Sequence, residues 1–552
     1  MEAPAVSARS RLKGGCSHDW LPHKWVFIPL NGAQRHRDSQ DWLPPANKLN
    51  RGSHVQRTLP HGRGSDGSEY SGADVCGLRA DKGTVVQGNR EIGVWFGAMP
   101  EIKGTLRSFT VAARCTLARM NRRTFLGTLA VTALAQSPAP RVNAGRLREH
   151  LEALSVFGRP EGGTFASGVS RYAYSDADVA GRAYVMKLMQ AAGLKPRIDA
   201  AGNIYGLRPG SDAALPPMLF GSHIDSVPNG GNFDGDLGSL AAIEVVQTLN
   251  EAHVATRRGL EIVIWQNEEG YAFNNGLVGS RAAAGHLDRG ELDAVWNGVK
   301  KSDAIRKIGG NPERIAEAKR GPNSFACYLE LHIEQGGTLE RAGIPIGVVE
   351  GIVSIDRYDV EVRGFANHAG TTPMPDRQDA LVAASMLTVA VNDEVRAMPG
   401  RQVGTVGQLN VSPNVPNIVP GSVKMVVELR DLSEKRVASL GARIGSRARE
   451  IAAQTRTEIT MKLAAHHDAA LATPEVQRSI EAACAKLGLK TQRQPSGAGH
   501  DAQMMALLGP MGMIFVPSVK GISHSPAELT SWEDCARGAD VLLATVLDWA
   551  SR

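Results

Sequence analysis

The segment GSHIDSVPNGGNFDGDLG, residues 221–238, decides the fold because it joins a short apolar strand to a helix with an apolar face. The strand is predicted over residues 217–222 and the helix over residues 237–249. His223 and Asp225 follow the strand, and Asp234 lies among four glycines that allow close backbone approach. Such a loop can place one carboxylate between two cations. The segment therefore predicts an α/β fold with metal ligands at a strand end.

Other apolar segments carry groups of the same kind. Residues 260–265 form a nearly continuous apolar run, typical of a parallel strand covered on both faces, and Glu268 and Glu269 follow it. His332 lies in LELHIEQG and His524 lies in GISHSPAE. Each ion of a two-metal site takes three or four nitrogen or oxygen ligands and keeps a position open for water. The whole set therefore predicts a two-metal hydrolase.

The residues alone leave the roles of the paired glutamates open. Side chains of adjacent residues at a strand end diverge, so one of Glu268 and Glu269 can bind metal while the other takes a proton from activated water. Asp225 stands two residues after His223. We expect Asp225 to orient that imidazole and fix its tautomer.

Length, charge and cysteine content exclude several classes of protein. The chain has 552 residues, 42% of them hydrophobic, which is enough for two domains with substantial cores. Residues 1–119 contain 17 Lys and Arg against 10 Asp and Glu, a net charge of +7, so the rest of the +6 chain carries −1. With no basic stripe or aromatic platform in that nearly neutral body, nucleic acid is not an expected partner. The cysteines form no CxxC pair, which excludes a zinc ribbon and a redox motif.

The first 135 residues are predicted to lie outside the folded body. Residues 1–119 include a stretch without helical or strand periodicity, residues 38–74, and their short apolar runs are too few to build a core. They are predicted to be a mis-called or disordered extension, with a basic interaction arm as the alternative. Residues 120–135, MNRRTFLGTLAVTALA, have the layout of a twin-arginine (Tat) signal, with an amphipathic linker helix as the alternative. Translation is then expected to start at Met120, with export to the periplasm or beyond. The apolar run is too short for a stable membrane span.

The body is predicted to be a sheet domain interrupted by a smaller one. Helices are predicted over residues 147–155 and 176–192. From about residue 354 the pattern changes to alternating strands around residues 358–362 and 423–429, with a helix over 379–391 between them. We therefore expect a catalytic domain built from residues 145–353 and 465–552, with an α+β domain of residues 354–464 inserted.

Seven motifs carry a resemblance to a known family. They are GSHIDSVPNGGNFDG, NEEG, ELHIEQG, GFANHAGTTPMPDRQDA, PNVPNIVPG, SGAGHDA and HSPAE, in order from about Arg146 to the C-terminus. They resemble the N-carbamoyl-L-amino acid hydrolase, allantoate amidohydrolase and β-ureidopropionase group of di-metal amidohydrolases, which are relatives of di-zinc aminoacylases and carboxypeptidases. The resemblance implies an aminopeptidase-like α/β sheet domain, an inserted lid and dimerisation domain, and a homodimer.

The same resemblance implies a role for each site residue. Two divalent ions, Zn²⁺, Mn²⁺ or Co²⁺, are expected per subunit, one held by His223, Asp234 and His332 and the other by Asp234, Glu269 and His524. Glu268 is expected to be the general base, and His368 to stabilise the tetrahedral intermediate in the partner subunit's site. The remaining expected contacts to a carboxylate-bearing ureido substrate are Gln335, Asn417, Arg430, Gly499 and His500.

The leading functional prediction is hydrolysis of the ureido C–N bond of N-carbamoyl-L-amino acids. Allantoate or ureidoglycolate amidohydrolase activity is a second prediction, because residues 271–276, YAFNNG, depart from the family pattern beside the expected site. Aminoacylase or dipeptidase activity is disfavoured by His332 and Gln335. A non-catalytic periplasmic binding protein is disfavoured by the intact Glu268.

Overall fold

The structure is a computed structural model that describes residues 139–552. The predicted extension and signal of residues 1–135 lie outside this range. In chain order the strands are β1 (Arg197–Ile198), β2 (Ile204–Arg208), β3 (Met218–His223), β4 (Leu260–Trp265), β5 (Val295–Trp296), β6 (Val299–Lys300), β7 (Cys327–Ile333), β8 (Ile346–Ile352), β9 (Ser354–Arg363), β10 (Asn367–His368), β11 (Val403–Ser412), β12 (Ile418–Val419), β13 (Ser422–Asp431), β14 (Glu458–His467), β15 (Ala470–Leu471), β16 (Thr491–Ser496) and β17 (Met511–Val516).

The α-helices alternate with these strands through most of the described chain. They are α1 (Ala144–Leu154), α2 (Asp176–Ala191), α3 (Asp236–Glu251), α4 (Val278–Ala284), α5 (Lys301–Lys307), α6 (Thr338–Ala342), α7 (Ala380–Ala397), α8 (Glu434–Thr455), α9 (Pro474–Lys486), α10 (Asp501–Met505) and α11 (Trp532–Ala550). The bounds of α2 and β4 agree closely with the predicted 176–192 and 260–265.

A nine-stranded sheet forms the centre of the catalytic part. Its order is β1-β2-β4-β3-β7-β17-β8-β15, and β16 also pairs with β8. Strands β4, β3, β7 and β17 are parallel neighbours, whereas β2 runs antiparallel to β1 and β4. Strand β8 runs antiparallel to β17 and β15 but parallel to β16. The sheet is thus mixed rather than purely parallel, because strands of opposite direction flank the parallel centre.

The parallel centre of this sheet is buried on both faces. Every residue of β3, β4, β7 and β17 is buried, as their apolar runs predict. The main core cluster joins these strands to α1, α3, α9 and α11. Burial of this kind stabilises the fold by about 25 cal/mol per Å² of apolar surface and holds the strand ends in fixed positions.

Residues 354–467 contain a second sheet with a core of its own. It is antiparallel in the order β11-β13-β9-β14, and the chain enters it from β8 and leaves it towards β15. Alternate residues such as Val360 and Val427 pack with Leu387 of α7 and Ile444 of α8. The alternating strands and the intervening helix predicted from the sequence are therefore confirmed.

Two further observations concern the described residues. Cys327, Cys484 and Cys535 are buried free thiols, as expected of small apolar side chains. Within residues 139–552 no helix is both long and apolar enough to cross a membrane.

Candidate active site

Strand ends and the loops next to them bring the six predicted metal-site residues together. His223 is the last residue of β3, His332 lies near the end of β7, and the two glutamates follow β4. Asp234 lies two residues before α3, and His524 lies in the connection between β17 and α11. The carboxyl ends of parallel strands meet at one edge of the sheet, which is where open α/β sheets place their sites.

Asp234 lies at the centre of the cluster and uses both of its oxygens. Its Oδ1 is 3.6 Å from Nε2 of His223 and 3.2 Å from Nε2 of His332. Its Oδ2 is 3.5 Å from Nε2 of His524, which is 3.2 Å from Oε2 of Glu269. The arrangement forms two triads that could each hold a metal ion and that share Asp234.

The tautomers of the two buried histidines suit metal ligands. Nδ1 of His223 lies 3.0 Å from the carbonyl oxygen of Asp225, and Nδ1 of His332 lies 2.9 Å from that of Ile333. Each Nδ1–H donates to its carbonyl, so each Nε2 presents a lone pair to the cluster. Both Nε2 atoms are buried and without a hydrogen-bond partner in the protein. Two divalent ions therefore fit this set of donors.

The glycine before α3 allows the metal loop to pass close to His223. Gly235 has φ 69°, and a Cβ added there would lie 2.3 Å from Cε1 of the imidazole. A side chain at this position would clash with the ring or move the loop. The close approach expected of the glycine-rich loop is thus required at this position.

Asp225 orients its neighbours differently from the prediction. Its main-chain carbonyl contacts the imidazole of His223, whereas its carboxylate lies 3.9 Å from that ring. The carboxylate instead accepts hydrogen bonds from the backbone amides of Glu268, at 3.1 Å, and Glu269, at 3.2 Å. Asp225 therefore fixes the backbone of the glutamate pair as well as the tautomer of His223.

The two glutamates diverge as predicted and lie in different surroundings. Oε2 of Glu268 is 3.8 Å from Nε2 of His223, while Glu269 contacts His524. Burial and then the charge of Glu269 raise the pKa of Glu268 well above its ordinary value, and burial raises the pKa of Glu269 to about 7. Burial opposes ionisation of Asp234 also, but the imidazole of His332 and its other histidine neighbours hold its pKa well below the usual range.

A cavity of about 280 Å³ opens beside the cluster and contains four of the six predicted substrate residues. Gln335, Arg430, Gly499 and His500 line it together with all of the metal-site residues except His223. Gln335 donates to Oδ2 of Asp234 at 2.6 Å, and His500 contacts Ser496 Oγ at 2.8 Å. The site thus combines potential metal ligands with hydrogen-bond donors in one cavity.

Arg430 is held in place from two sides. Its Nε and Nη2 donate to the same Glu428 oxygen at 2.8 and 2.6 Å, and its Nη1 donates to the carbonyl oxygen of Gly497 at 2.5 Å. Its side chain is 29% exposed. A guanidinium fixed in this way at a cavity wall can receive a planar carboxylate.

The other two predicted substrate residues lie elsewhere. His368 and Asn417 are exposed, and neither lines this cavity. They are close to each other, because His368 pairs with Ile418 and the amide of Ala369 donates to the carbonyl oxygen of Asn417 at 2.9 Å. The described chain therefore does not bring His368 or Asn417 to the wall of its own cavity.

Comparison with known proteins places these observations in a family. The sequence profile of Peptidase family M20/M25/M40 matches residues 219–548, more than half of the chain. The chain belongs to this family. It is 40% identical over 406 residues to the N-carbamoyl-L-amino acid amidohydrolase of Geobacillus stearothermophilus, covering 73% of this chain and 98% of that protein. The group predicted from the motifs is thereby confirmed.

Two further members of the M20 family group are similar to the chain. The ureidoglycolate hydrolase of Arabidopsis thaliana is 36% identical over 414 residues, covering 73% of this chain and 86% of that protein. A solved amidase of the hydantoinase/carbamoylase family from Burkholderia multivorans superposes with a TM-score of 0.69 at 34% identity, covering 75% of this chain and all of that structure. The mixed α/β fold of the M20 family is thus also found by structural comparison.

Glu528 is a site residue that the sequence analysis left without a role. Its Oε1 accepts hydrogen bonds from the amides of Phe233, at 2.9 Å, and Asp234, at 3.1 Å. The hydroxyl of Ser523 lies 2.9 Å from its Oε2 and 2.8 Å from Oδ2 of Asp234. Glu528 is the last residue of the HSPAE motif, and its position four residues after His524 is the only signal in the sequence.

Arg171 is a second such residue, and it lies behind the metal loop. It is fully buried, donates to the carbonyl oxygen of Ile224 at 2.7 Å and contacts the carboxylate of Asp236. It also donates to the carbonyl oxygens of Leu154, the last residue of α1, and of Phe157, which follows that helix. Arg171 therefore ties the end of β3 and the start of α3 to the first helix.

Proposed function

We propose that this chain hydrolyses the ureido C–N bond of N-carbamoyl-L-amino acids, giving the free L-amino acid, carbon dioxide and ammonia. One observation carries the proposal: two potential metal-binding triads share Asp234, with Glu268 free beside them. The identity to the Geobacillus amidohydrolase supports the choice of substrate class. We infer that each subunit binds two divalent ions, and that these are Zn²⁺, Mn²⁺ or Co²⁺.

The residues that would hold these ions follow from the geometry. His223, Asp234 and His332 would hold one, and Asp234, Glu269 and His524 the other. When bound, the pair supplies Lewis-acid activation of water and of the ureido carbonyl group.

Glu268 is proposed as the residue that moves protons. Its carboxylate lies beside the shared cluster but belongs to neither triad, so it is available to take a proton from water and deliver it to the leaving nitrogen. The balance is one water consumed for each amino acid, carbon dioxide and ammonia released. A binding protein on this scaffold has no need of such a group.

Arg430 and Gln335 are proposed to orient the substrate. Arg430 would receive the substrate carboxylate at the cavity wall, with Gly499 and His500 on the adjoining surface. Gln335 contacts the shared Asp234 carboxylate, so it lies where a ureido group meets the cluster. This placement accounts for a substrate that carries both a carboxylate and a ureido group.

A substrate panel tests the proposal. The purified enzyme is assayed for ammonia and for free amino acid with N-carbamoyl-L-amino acids, their D-enantiomers, allantoate, ureidoglycolate, N-acetyl amino acids and dipeptides, with and without chelator. We expect chelator-sensitive release of both products from the N-carbamoyl-L-amino acids. Cleavage of peptides or N-acetyl amino acids without ureido hydrolysis contradicts the proposal, and preference for ureidoglycolate or allantoate assigns the other branch of the group.

We further propose that residues 354–464 act as a lid and dimerisation domain in a homodimer, with His368 and Asn417 completing the partner subunit's site. The observation in support is that His368 is exposed and does not line the cavity of its own chain. Mixing His368→Ala with Glu268→Gln under subunit exchange tests this. Each heterodimer then has one site with both lesions and one site with neither.

The expected result of that mixture is recovery of up to about half of wild-type activity per heterodimer. Continued inactivity with proven exchange contradicts action in the partner's site.

Export through the twin-arginine route, proposed from residues 120–135, is tested separately by replacing Arg122 and Arg123 with lysine and measuring the periplasmic fraction. Unchanged export with both lysines contradicts it.

A further inference from the structure

The turn that follows His368 surrounds one nitrogen of its imidazole. Nδ1 lies 3.0 Å from the amide nitrogen of Gly370 and 3.2 Å from that of Thr371, and both N–H groups point at it. An amide N–H can only donate, so Nδ1 must accept from both and carries no proton. A neutral imidazole has a single N–H, which is then on Nε2.

We propose that the turn of residues 368–372 is a tautomer lock that presents His368 as a hydrogen-bond donor through Nε2. Gly370 and Thr371 are its positioning residues. The inference rests on the proposed function for the identity of the reaction, but the tautomer itself is a property of this turn. The lock adds a physical basis to the role that the resemblance implies for His368, because it fixes which ring nitrogen donates.

The turn is held by contacts independent of the imidazole. Arg377 donates to the carbonyl oxygen of Ala369 at 2.5 Å and to that of Thr372 at 3.1 Å. The amide and hydroxyl of Thr372 donate to the carbonyl oxygen of His368 at 3.1 and 2.6 Å. The amides that contact Nδ1 are therefore in place before any ligand arrives, and no rearrangement is needed to select the tautomer.

Glycine at position 370 leaves room for the close approach of the ring. A Cβ added there would lie 3.2 Å from Cε1 and 3.5 Å from Nδ1 of His368. That contact is tighter than ordinary van der Waals packing, so a side chain would require the imidazole to move by a few tenths of an ångström. The glycine thus avoids a displacement of the ring relative to the two amides.

The lock divides the chemistry between two residues. A ring with its proton on Nε2 cannot accept a proton there, but it can donate a hydrogen bond to an oxygen that gains negative charge. Proton transfer is then left to Glu268, whose carboxylate lies beside the metal cluster. His368 is an electrostatic stabiliser, and its preformed orientation requires the turn.

Nitrogen-15 NMR of the zinc-loaded enzyme labelled at histidine tests the lock without measuring activity. The chain has 15 histidines, so the His368 signals are assigned as those lost in His368→Gln. We expect an unprotonated Nδ1 and a protonated Nε2. A proton on Nδ1 in the wild-type enzyme overturns the proposal, whatever substrate the enzyme prefers.

Two matched pairs of variants test the consequence. The side-chain amide nitrogen of Gln reaches about as far from the backbone as Nε2 of His, and that of Asn about as far as Nδ1. One donor to an oxyanion contributes roughly 10²–10³-fold to kcat. We therefore expect the kcat of His368→Gln to be at least about tenfold above that of His368→Asn.

The second pair changes the turn. Thr371→Pro removes one amide donor to Nδ1, and Thr371→Ala keeps it. Because the Gly370 amide still donates to Nδ1, we expect Thr371→Pro, and not Thr371→Ala, to raise the population with a proton on Nδ1 and to lower kcat by roughly 2- to 10-fold, with KM and metal content little changed.

Two results contradict this consequence. Equal kcat in His368→Gln and His368→Asn means that donation through Nε2 is not used. An unaltered tautomer population and an unaltered kcat in a folded Thr371→Pro variant mean that the Thr371 amide does not contribute to the lock. Circular dichroism checks folding, and the wild-type spectrum decides the tautomer if the proline variant does not fold. Loss of ureido hydrolysis as such does not affect the NMR result, so the two proposals fail separately.

Discussion

Glu528→Ala should weaken metal binding, although the residue belongs to neither triad. Its Oε1 accepts the amides of Phe233 and Asp234, so the variant leaves two buried donors without their acceptor. Hydrogen bonds to a charged acceptor contribute about 1.5–3 kcal/mol each to stability. Loss of the two bonds therefore costs at most about 3–6 kcal/mol of free energy. Water entering the vacated space recovers part of that free energy.

The part of the lost free energy that water does not recover destabilises the loop that carries the shared carboxylate of Asp234. Loss of such supporting contacts typically lowers metal affinity by roughly 10- to 100-fold, which corresponds to about 1.4–2.8 kcal/mol and lies within the bound. Glu528→Gln is the matched control, because its amide oxygen can still accept both backbone N–H groups. We expect it to change metal affinity less than about tenfold.

The assay is competition with a chromophoric chelator, which gives both the dissociation constants and the number of ions bound. Near-ultraviolet circular dichroism of the metal-free proteins controls for folding. Wild-type affinity in Glu528→Ala would refute the reasoning, since the two amide contacts would then make no difference to the loop. Equal loss in the Ala and Gln variants would assign the effect to charge instead.

Three other perturbations bear on the site. Glu268→Gln should keep both ions and lower kcat by roughly 10²–10⁴-fold, as measured by metal analysis and steady-state kinetics. Loss of metal together with activity would instead make Glu268 a ligand. Arg430→Lys should raise KM about tenfold or more, because an ammonium cannot form two parallel bonds to a carboxylate, and an unchanged KM puts the carboxylate elsewhere. Removal of metal by chelator should lower the unfolding temperature, since bound metal at 1,000 times its Kd stabilises the fold by about 4 kcal/mol; superimposable unfolding curves contradict the metal site.

The elements of the fold were predictable where a pattern was strong. The apolar run of 260–265 coincides with β4, and the alternation around Val360 identifies a half-buried strand. The mixed direction of the large sheet was not predictable, because strand direction depends on pairings such as that of β17 with both β7 and β8. Hydrophobic periodicity reports which face is buried and not which neighbour covers it.

The candidate site was likewise predictable in part. Ligand side chains could be identified because their types and order are diagnostic, and the structure brings them together. The contacts of Asp225 and Glu528 could not, since both carboxylates accept from backbone amides, which every residue but proline possesses. The two amides that donate to Glu528 also lie 294 and 295 residues away from it in the chain. Only the folded chain identifies such contacts.

The position of β17 has a consequence for biosynthesis. This strand lies between β7 and β8, so the large sheet remains in two pieces until residues 511–516 have left the ribosome. His524, the residue that completes the second candidate triad, emerges later still. A nascent chain can thus form the second sheet of residues 354–467 on its own, while the catalytic part waits for pairings between distant segments, which are slow to form. Completion of both triads is therefore an event of the finished chain, and a ribosome-bound intermediate holds at most the first of them.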